Sequence, residues 1–291
     1  MNQDTRQQAI DLYDRFTHEG MDRRELMVAM VRIAGSVAAA ELLIAGIAAS
    51  SAAAAVVAPG DKRLKTATLD LALPGIPPYK AYSAAPRAGG KRGSVLVIHE
   101  NRGLNDHIRD VARRLALAGY NAIAPDFLSP SGGTPADENA ARDAIGKLDL
   151  AQSISHAVRH LQVLKASKAG NGKVGAVGFC WGGAFVHRLA VAAGTDLDAG
   201  VVYYGPAPNP AAAGKVRAPL MIHHAGLDTR VAQTLWPWVS ALREAGKEVT
   251  YFNYEGANHA FNNDTSAERY NKDAADLAWT RTLRFFKKYL S

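Results

Sequence analysis

The chain of 291 residues has one cysteine, no long run of lysine or arginine, and no apolar run of more than seventeen residues free of charge. A lone cysteine excludes an intramolecular disulfide and an all-cysteine metal site. No histidine, cysteine and carboxylate spacing typical of a metal site is present either, so no metal is expected. The net charge of +7 and pI near 9.5 would suit an anionic partner, but basic residues are scattered or paired with acids, as in Arg142-Asp143 and Arg243-Glu244. Nucleic-acid binding is therefore not expected. With 48% apolar and 21% charged residues, the composition supports a sizeable core and is unlike a disordered chain. The length fits one main α/β domain plus an extra segment.

The extra segment is N-terminal. Residues 1–20 are polar, with Ile10, Leu12, Tyr13 and Phe16 spaced for at most one short amphipathic helix. Arg23 and Arg24 then precede an Ala-rich apolar stretch that ends near Ala58-Pro59, interrupted by Arg32 and Glu41. Paired arginines before a modestly hydrophobic region with small residues at its end resemble a twin-arginine export signal. Residues 1–58 are accordingly expected to direct export to the periplasm or beyond. Cleavage is expected between about Ala53 and Asp61, with no stable membrane association afterwards. The competing readings are an Ala-rich helix packed on the domain and a retained membrane anchor, although Leu42 to Ala58 is short for a span.

Residues 60–291 read as one domain with no internal repeat. Lys65 to Leu73 and Tyr79 to Ser83 are expected strands separated by the turn-forming Pro74-Gly75-Ile76-Pro77-Pro78. Ser94 to His99 is a continuous apolar run, as expected of a strand buried on both faces. Further expected strands are Asn121 to Pro125, Lys173 to Gly178, Ala199 to Tyr204, Pro219 to His224 and Val249 to Tyr254. Helical spacing lies between them, including one region from about Asp137 to Lys165 and a last helix from Ala267 to Leu290. Such alternation predicts a mostly parallel central sheet with helices on both faces.

Gly175-Ala176-Val177-Gly178-Phe179-Cys180-Trp181-Gly182-Gly183 carries the most chemistry. It is the G-x-S-x-G strand-to-helix elbow with cysteine in the serine position. A turn so sharp strains the central residue, so its neighbours two positions away must lack side chains. The helix N-terminus beyond it favours a thiolate. The bland alternative is a small buried cysteine in an ordinary turn. Asp228 and His259 follow apolar strands and should share the carboxyl edge of the sheet, in the chain order expected for a nucleophile, acid and histidine. His259 would take the thiol proton and Asp228 would orient its ring. Singly, Asp228 is equally a turn acid and His259 a loop histidine. Glu100 ends the buried strand at the same rim, where a carboxylate can hold or accept the thiol proton, unless it is a surface group paired with Arg102. The backbone N–H groups of Trp181 and Asn101 are the expected oxyanion donors.

These segments resemble the dienelactone hydrolases, or carboxymethylenebutenolidases, of the α/β-hydrolase superfamily. The resemblance covers roughly residues 64–290 through His99-Glu100 with Gly103, Pro125-Asp126-Phe127, the cysteine elbow, Tyr203-Tyr204-Gly205, Gly226-Leu227-Asp228 and His259-Ala260-Phe261. It implies a cofactor-free hydrolase acting on a small ester or lactone, with Glu100 contacting the nucleophile and Arg102, Tyr204 and Phe261 as candidate substrate contacts. The family's two carboxylate-holding arginines are not matched: those places fall near Pro130 and at Asn263. An ester or lactone is therefore better supported than dienelactone itself. A carboxylesterase or thioesterase with a different acyl pocket is the nearest alternative. A thiol sensor is weaker, since the chain holds no resolving cysteine.

Overall fold

The computed structural model describes residues 3–48 and 56–291. Eight strands form one sheet in the order β1-β2-β4-β3-β5-β6-β7-β8. They are β1 (Leu64–Leu71), β2 (Tyr79–Pro86), β3 (Arg92–Ile98), β4 (Asn121–Pro125), β5 (Gly170–Phe179), β6 (Ala199–Tyr203), β7 (Leu220–Ala225) and β8 (Val249–Tyr254). β1 pairs antiparallel with β2 and β2 antiparallel with β4, and all remaining neighbours are parallel. The parallel part needs crossover helices, and these cover both faces.

The continuous apolar runs are split residue by residue between the two faces. Val95 and Val97 of β3 point into one core with Val177, Phe179, Val201 and Tyr203, and Leu96 and Ile98 point into the other with Ala176, Val202 and Ile222. Helices α4 (Asp106–Leu117) and α9 (Lys272–Leu290) cover the first face. The second is covered by α6 (Leu150–Lys165), α7 (Trp181–Ala192) and α8 (Thr229–Glu244). This is the α/β-hydrolase fold.

Two departures from the sequence reading bear on function. The single helical region expected from Asp137 to Lys165 is two helices, α5 (Glu138–Gly146) and α6. Asp149 restarts the chain as an N-cap by accepting from the backbone N–H of Gln152 at 3.0 Å. The N-terminal segment holds three helices where one was expected: α1 (Gln3–His18), α2 (Arg23–Ala34) and α3 (Val37–Ile47). They bury a small core of their own around Ile10, Tyr13, Phe16, Leu26, Met30 and Ile47. The paired arginines form the first turn of α2, behind a capping box between Asp22 and Glu25. No single described helix is long and apolar enough to cross a membrane, and α2 and α3 together are bent by 108° at Gly35 and Ser36. Residues 53–55 of the expected cleavage range lie outside the described residues.

Candidate active site

The elbow forms because backbone passes close on every side of it. A Cβ on Gly178 would lie 2.0 Å from the carbonyl oxygen of Gly182, and one on Gly182 would lie 2.3 Å from that of Ile98. No side chain fits at either position. Cys180 between them adopts φ 55° and ψ −113°, a strained geometry for a non-glycine residue. It is buried at 5% exposure, at the N-terminus of α7. Tyr204 and Ala260, at φ 39° and 65°, are the other two non-glycine residues with positive φ among the described residues, and both lie beside His259 in space or sequence.

Asp228 and His259 meet as expected. His259 Nδ1 donates to Asp228 Oδ2 at 2.6 Å, and both side chains are buried. The other Asp228 oxygen accepts from the Val231 N–H at 3.0 Å, so the acid that orients the histidine also caps α8. His259 Nε2 is buried without a hydrogen-bond partner. Burial alone would lower the His259 pKa, but the neighbouring Cys180 and Asp228 charges outweigh it and raise the pKa to about 10. Burial pulls the Asp228 carboxyl upward, but His259 outweighs it and holds it below the usual range.

Glu100, Asn101 and Arg102 line the same small cavity as Cys180 and His259, as their place after β3 requires. Glu100 is buried, and its Oε2 accepts from Asn263 Nδ2 at 2.7 Å while Oε1 has no partner. It is not the surface glutamate of the alternative reading. Asn263, which stands where an arginine would hold a substrate carboxylate, instead fixes this carboxylate. His99 holds the loop: its Nδ1 donates to the Glu100 carbonyl at 2.7 Å, and its Nε2 accepts from the Phe127 N–H at 3.1 Å. Gly103 turns the loop at φ +74°, where a Cβ would meet Thr134 Oγ1 at 2.1 Å. That threonine is tied to Asp126 at 2.8 Å, which explains the Pro125-Asp126-Phe127 segment as a brace for the Glu100 loop.

Trp181 is the first residue of α7, so its N–H has no acceptor within the helix. Its ring stacks on His99 at 5.3 Å. Arg102 is at the cavity but engaged: it donates to Tyr13 Oη at 2.5 Å and pairs with Glu138 at 2.7 Å. Tyr204 and Phe261 are fully buried behind His259 and pack on one another, which makes them walls of the site and not groups exposed in the cavity.

Three cavity residues carry no signal in the sequence, Thr17, His18 and Arg269, and a fourth, Asn263, stands out there only as a place without an arginine. His18, at the end of α1, brings Nε2 to 3.8 Å from Cys180 Sγ and meets the His259 ring edge-on at 4.7 Å between centroids. One donor atom each from His18, Cys180 and His259 lies within 4.8 Å of the others, a set of the kind that can hold a transition metal. The three come from separate elements, so no local spacing announces them. Arg269 pairs with Asp14 of α1 at 3.2 Å and also donates to the Ile47 carbonyl.

Comparison with known proteins agrees with this architecture. A Methylorubrum extorquens protein provisionally named carboxymethylenebutenolidase is 32% identical over 224 residues, covering 72% of this chain and 76% of its own length. A Saccharolobus solfataricus protein of the same provisional name is 31% identical over 247 residues, covering 72% of this chain and 93% of its own. The crystal structure of a Klebsiella pneumoniae protein provisionally named dienelactone hydrolase superposes with a TM-score of 0.71 at 28% identity, covering 78% of this chain and 99% of that one. Residues 79–290 match the model of the dienelactone hydrolase family. This chain belongs to the dienelactone hydrolase family and is a hydrolase of esters or lactones.

Proposed function

We propose that the chain hydrolyses esters or lactones through a cysteine nucleophile, with Cys180, His259 and Asp228 as the catalytic set and Glu100 beside them. The observation that carries this reading is the pairing of a strained, buried cysteine at the elbow with a histidine bound to a buried carboxylate at 2.6 Å. Cys180 attacks the substrate carbonyl as a thiolate, and the oxyanion that forms is received by the N–H groups of Trp181 and Asn101. His259, charged and oriented by Asp228, gives its proton to the departing alkoxide as the carbon–oxygen bond breaks, leaving a thioester on Cys180. His259 then takes a proton from water, the hydroxide adds to the thioester carbonyl, and collapse releases the acid and restores the thiolate. Glu100 has one oxygen held by Asn263 and the other unpartnered, which supports a role as acceptor of the thiol proton when Cys180 starts protonated.

The site supports an uncharged ester or lactone better than a dicarboxylate-like one, since its two nearest arginines are engaged by Glu138 and by Asp14. Hydrolysis of dienelactone, aryl acetates and acyl thioesters by the wild type, Cys180→Ala and Glu100→Gln tests the proposal. Loss of turnover in Cys180→Ala with partial loss in Glu100→Gln is expected. Full activity in Cys180→Ala would overturn it, and preference for thioesters would move the assignment to a thioesterase.

We further propose that residues 1–58 carry the chain out of the cytoplasm by the twin-arginine route. Arg23 and Arg24 are both exposed ahead of the apolar helices, which supports this reading. Precursor should accumulate inside cells whose twin-arginine pathway is disabled; unchanged distribution would exclude it.

A further inference from the structure

His18 and Thr17 reach the catalytic cavity from α1, outside residues 79–290 that match the family. The cavity over Cys180 has a volume of about 20 Å³, room for roughly one water molecule. An ester must bring its carbonyl carbon within about 3–3.5 Å of the nucleophile. The His18 imidazole, 3.8 Å from the sulfur, stands in that space. Burial and the charge on His259 hold the His18 pKa well below its ordinary value, so the ring sits there uncharged.

The segment that carries His18 is fastened by polar contacts. Arg6 pairs with Glu268 at 2.5 Å, Gln7 donates to Asn258 at 2.7 Å and Asp14 pairs with Arg269 at 3.2 Å. Arg6 is exposed and Gln7 half-buried, so these two contacts contribute little, while buried bonds from Arg102 to Tyr13 and from Ser266 and Arg269 to the Ile47 carbonyl hold the segment more firmly. Beyond the catalytic cavity lies a second one of about 350 Å³ between α1, α2, α3 and α5, walled by Phe16, Leu26, Met27 and Ile44. Thr17 and Arg102 line both cavities, so the two adjoin at these side chains.

We propose that in the chain that keeps its N-terminal segment residues 3–48 form a lid that decides which esters reach Cys180, with His18 as its gate. Closed, His18 fills the acyl position and shields the thiol. Displacing the C-terminal turn of α1 joins the small cavity to the larger apolar one, which receives an apolar acyl chain too long for the small cavity. The lid's effect on substrate choice rests on the hydrolase reading, but its shielding of the thiol does not.

The test uses the full-length protein as wild type, His18→Ala, and a triple variant Arg6→Ala/Gln7→Ala/Asp14→Asn that loosens the lid without altering His18. Two rates are measured: alkylation of Cys180 by iodoacetamide, and kcat/KM for p-nitrophenyl acetate and p-nitrophenyl hexanoate. Both variants should raise the alkylation rate by about tenfold or more, and both should raise kcat/KM for hexanoate more than for acetate. Alkylation within about twofold of wild type in both variants would overturn the lid. Faster alkylation with equal gains on the two esters would overturn its role in substrate choice. A fall in turnover at unchanged alkylation would reassign His18 to the chemistry. If no form hydrolyses either ester yet alkylation still responds, the lid stands as a cover of Cys180 and the hydrolase reading fails instead.

Discussion

Replacing Asp228 by asparagine separates the two tasks of one side chain. Asparagine can still accept from the Val231 N–H and cap α8, but it no longer places a negative charge 2.6 Å from His259 Nδ1. His259 is held at about 10 against an ordinary value of 6.5, which favours its charged form by on the order of 5 kcal/mol. Burial opposes that shift, while Cys180 and Asp228 both supply it, so with the two contributing equally, removing the carboxylate charge forfeits at least half of the net shift, about 2–3 kcal/mol or more. If the transition state depends on the imidazolium to the same degree, kcat/KM falls about a hundredfold. The pH profile gives a sharper readout. A group whose pKa is raised keeps its proton, and the stabilisation that goes with it, below its ordinary value and loses both as pH rises through the raised one. The alkaline limb of wild-type activity should therefore fall near pH 10, and that of Asp228→Asn should move roughly two units lower. The assay is hydrolysis of a p-nitrophenyl ester with the spontaneous hydrolysis measured and subtracted at each pH, together with urea unfolding. At pH 7 Asp228→Asn should lose about 2–3 kcal/mol of unfolding free energy, because the pairing that raises the His259 pKa is gone, and Asp228→Ala should lose about 0.5–2 kcal/mol more from the missing cap. Wild-type turnover in Asp228→Asn with an unmoved alkaline limb would refute the reasoning.

Other outcomes follow from the same geometry. Asn263→Leu leaves the buried Glu100 carboxylate without a donor, so it should cost about 1–3 kcal/mol in urea unfolding and lower turnover, while unchanged values in both would show that Asn263 does not hold Glu100. Gly182→Ala drives a Cβ toward the Ile98 carbonyl and should destabilise by about 3 kcal/mol or more; a wild-type thermal midpoint would mean that the elbow is looser than described. His187 and His223 are buried, and burial lowers both to about 3. Groups with lowered basic pKa values bind protons more readily unfolded, so stability should decline as pH drops below about 6.5, by up to roughly 1.4 kcal/mol per pH unit for each. Equal unfolding free energies at pH 7 and pH 5 would contradict that.

The catalytic half of the molecule is legible in the sequence because its constraints are local. Gly178, Cys180 and Gly182 announce the elbow by spacing alone, and apolar runs such as Ser94 to His99 place Glu100, Asp228 and His259 on one sheet edge before any contact is known. Boundaries were less legible where one residue has two tasks. Asp228 both orients His259 and begins α8 as its N-cap, so the helix starts directly after it at Thr229. Phe261 follows the histidine closely enough to read as a substrate contact, yet the positive φ at Ala260 accompanies a turn that buries it in the core. The N-terminal helices were the least legible part. Their partners, such as Arg269 for Asp14 and Arg102 for Tyr13, are distant in sequence, and an Ala-rich apolar stretch behind two arginines has the composition of an export signal. Nothing local in Thr17-His18 says that the helix ends over the nucleophile. Asn263 was noticed only as a missing arginine, since its bond to Glu100 spans 163 positions.

The central claim is that Cys180 forms the covalent intermediate. Its most direct test is rapid quenching of the full-length protein with a p-nitrophenyl ester, followed by intact-mass and peptide mass measurement. A one-equivalent burst of p-nitrophenol, with the acyl group on the Cys180 peptide and absent from Cys180→Ala, is the result expected. Steady turnover by Cys180→Ala at the wild-type rate, with no adduct on the Cys180 peptide in the wild type, would contradict the account.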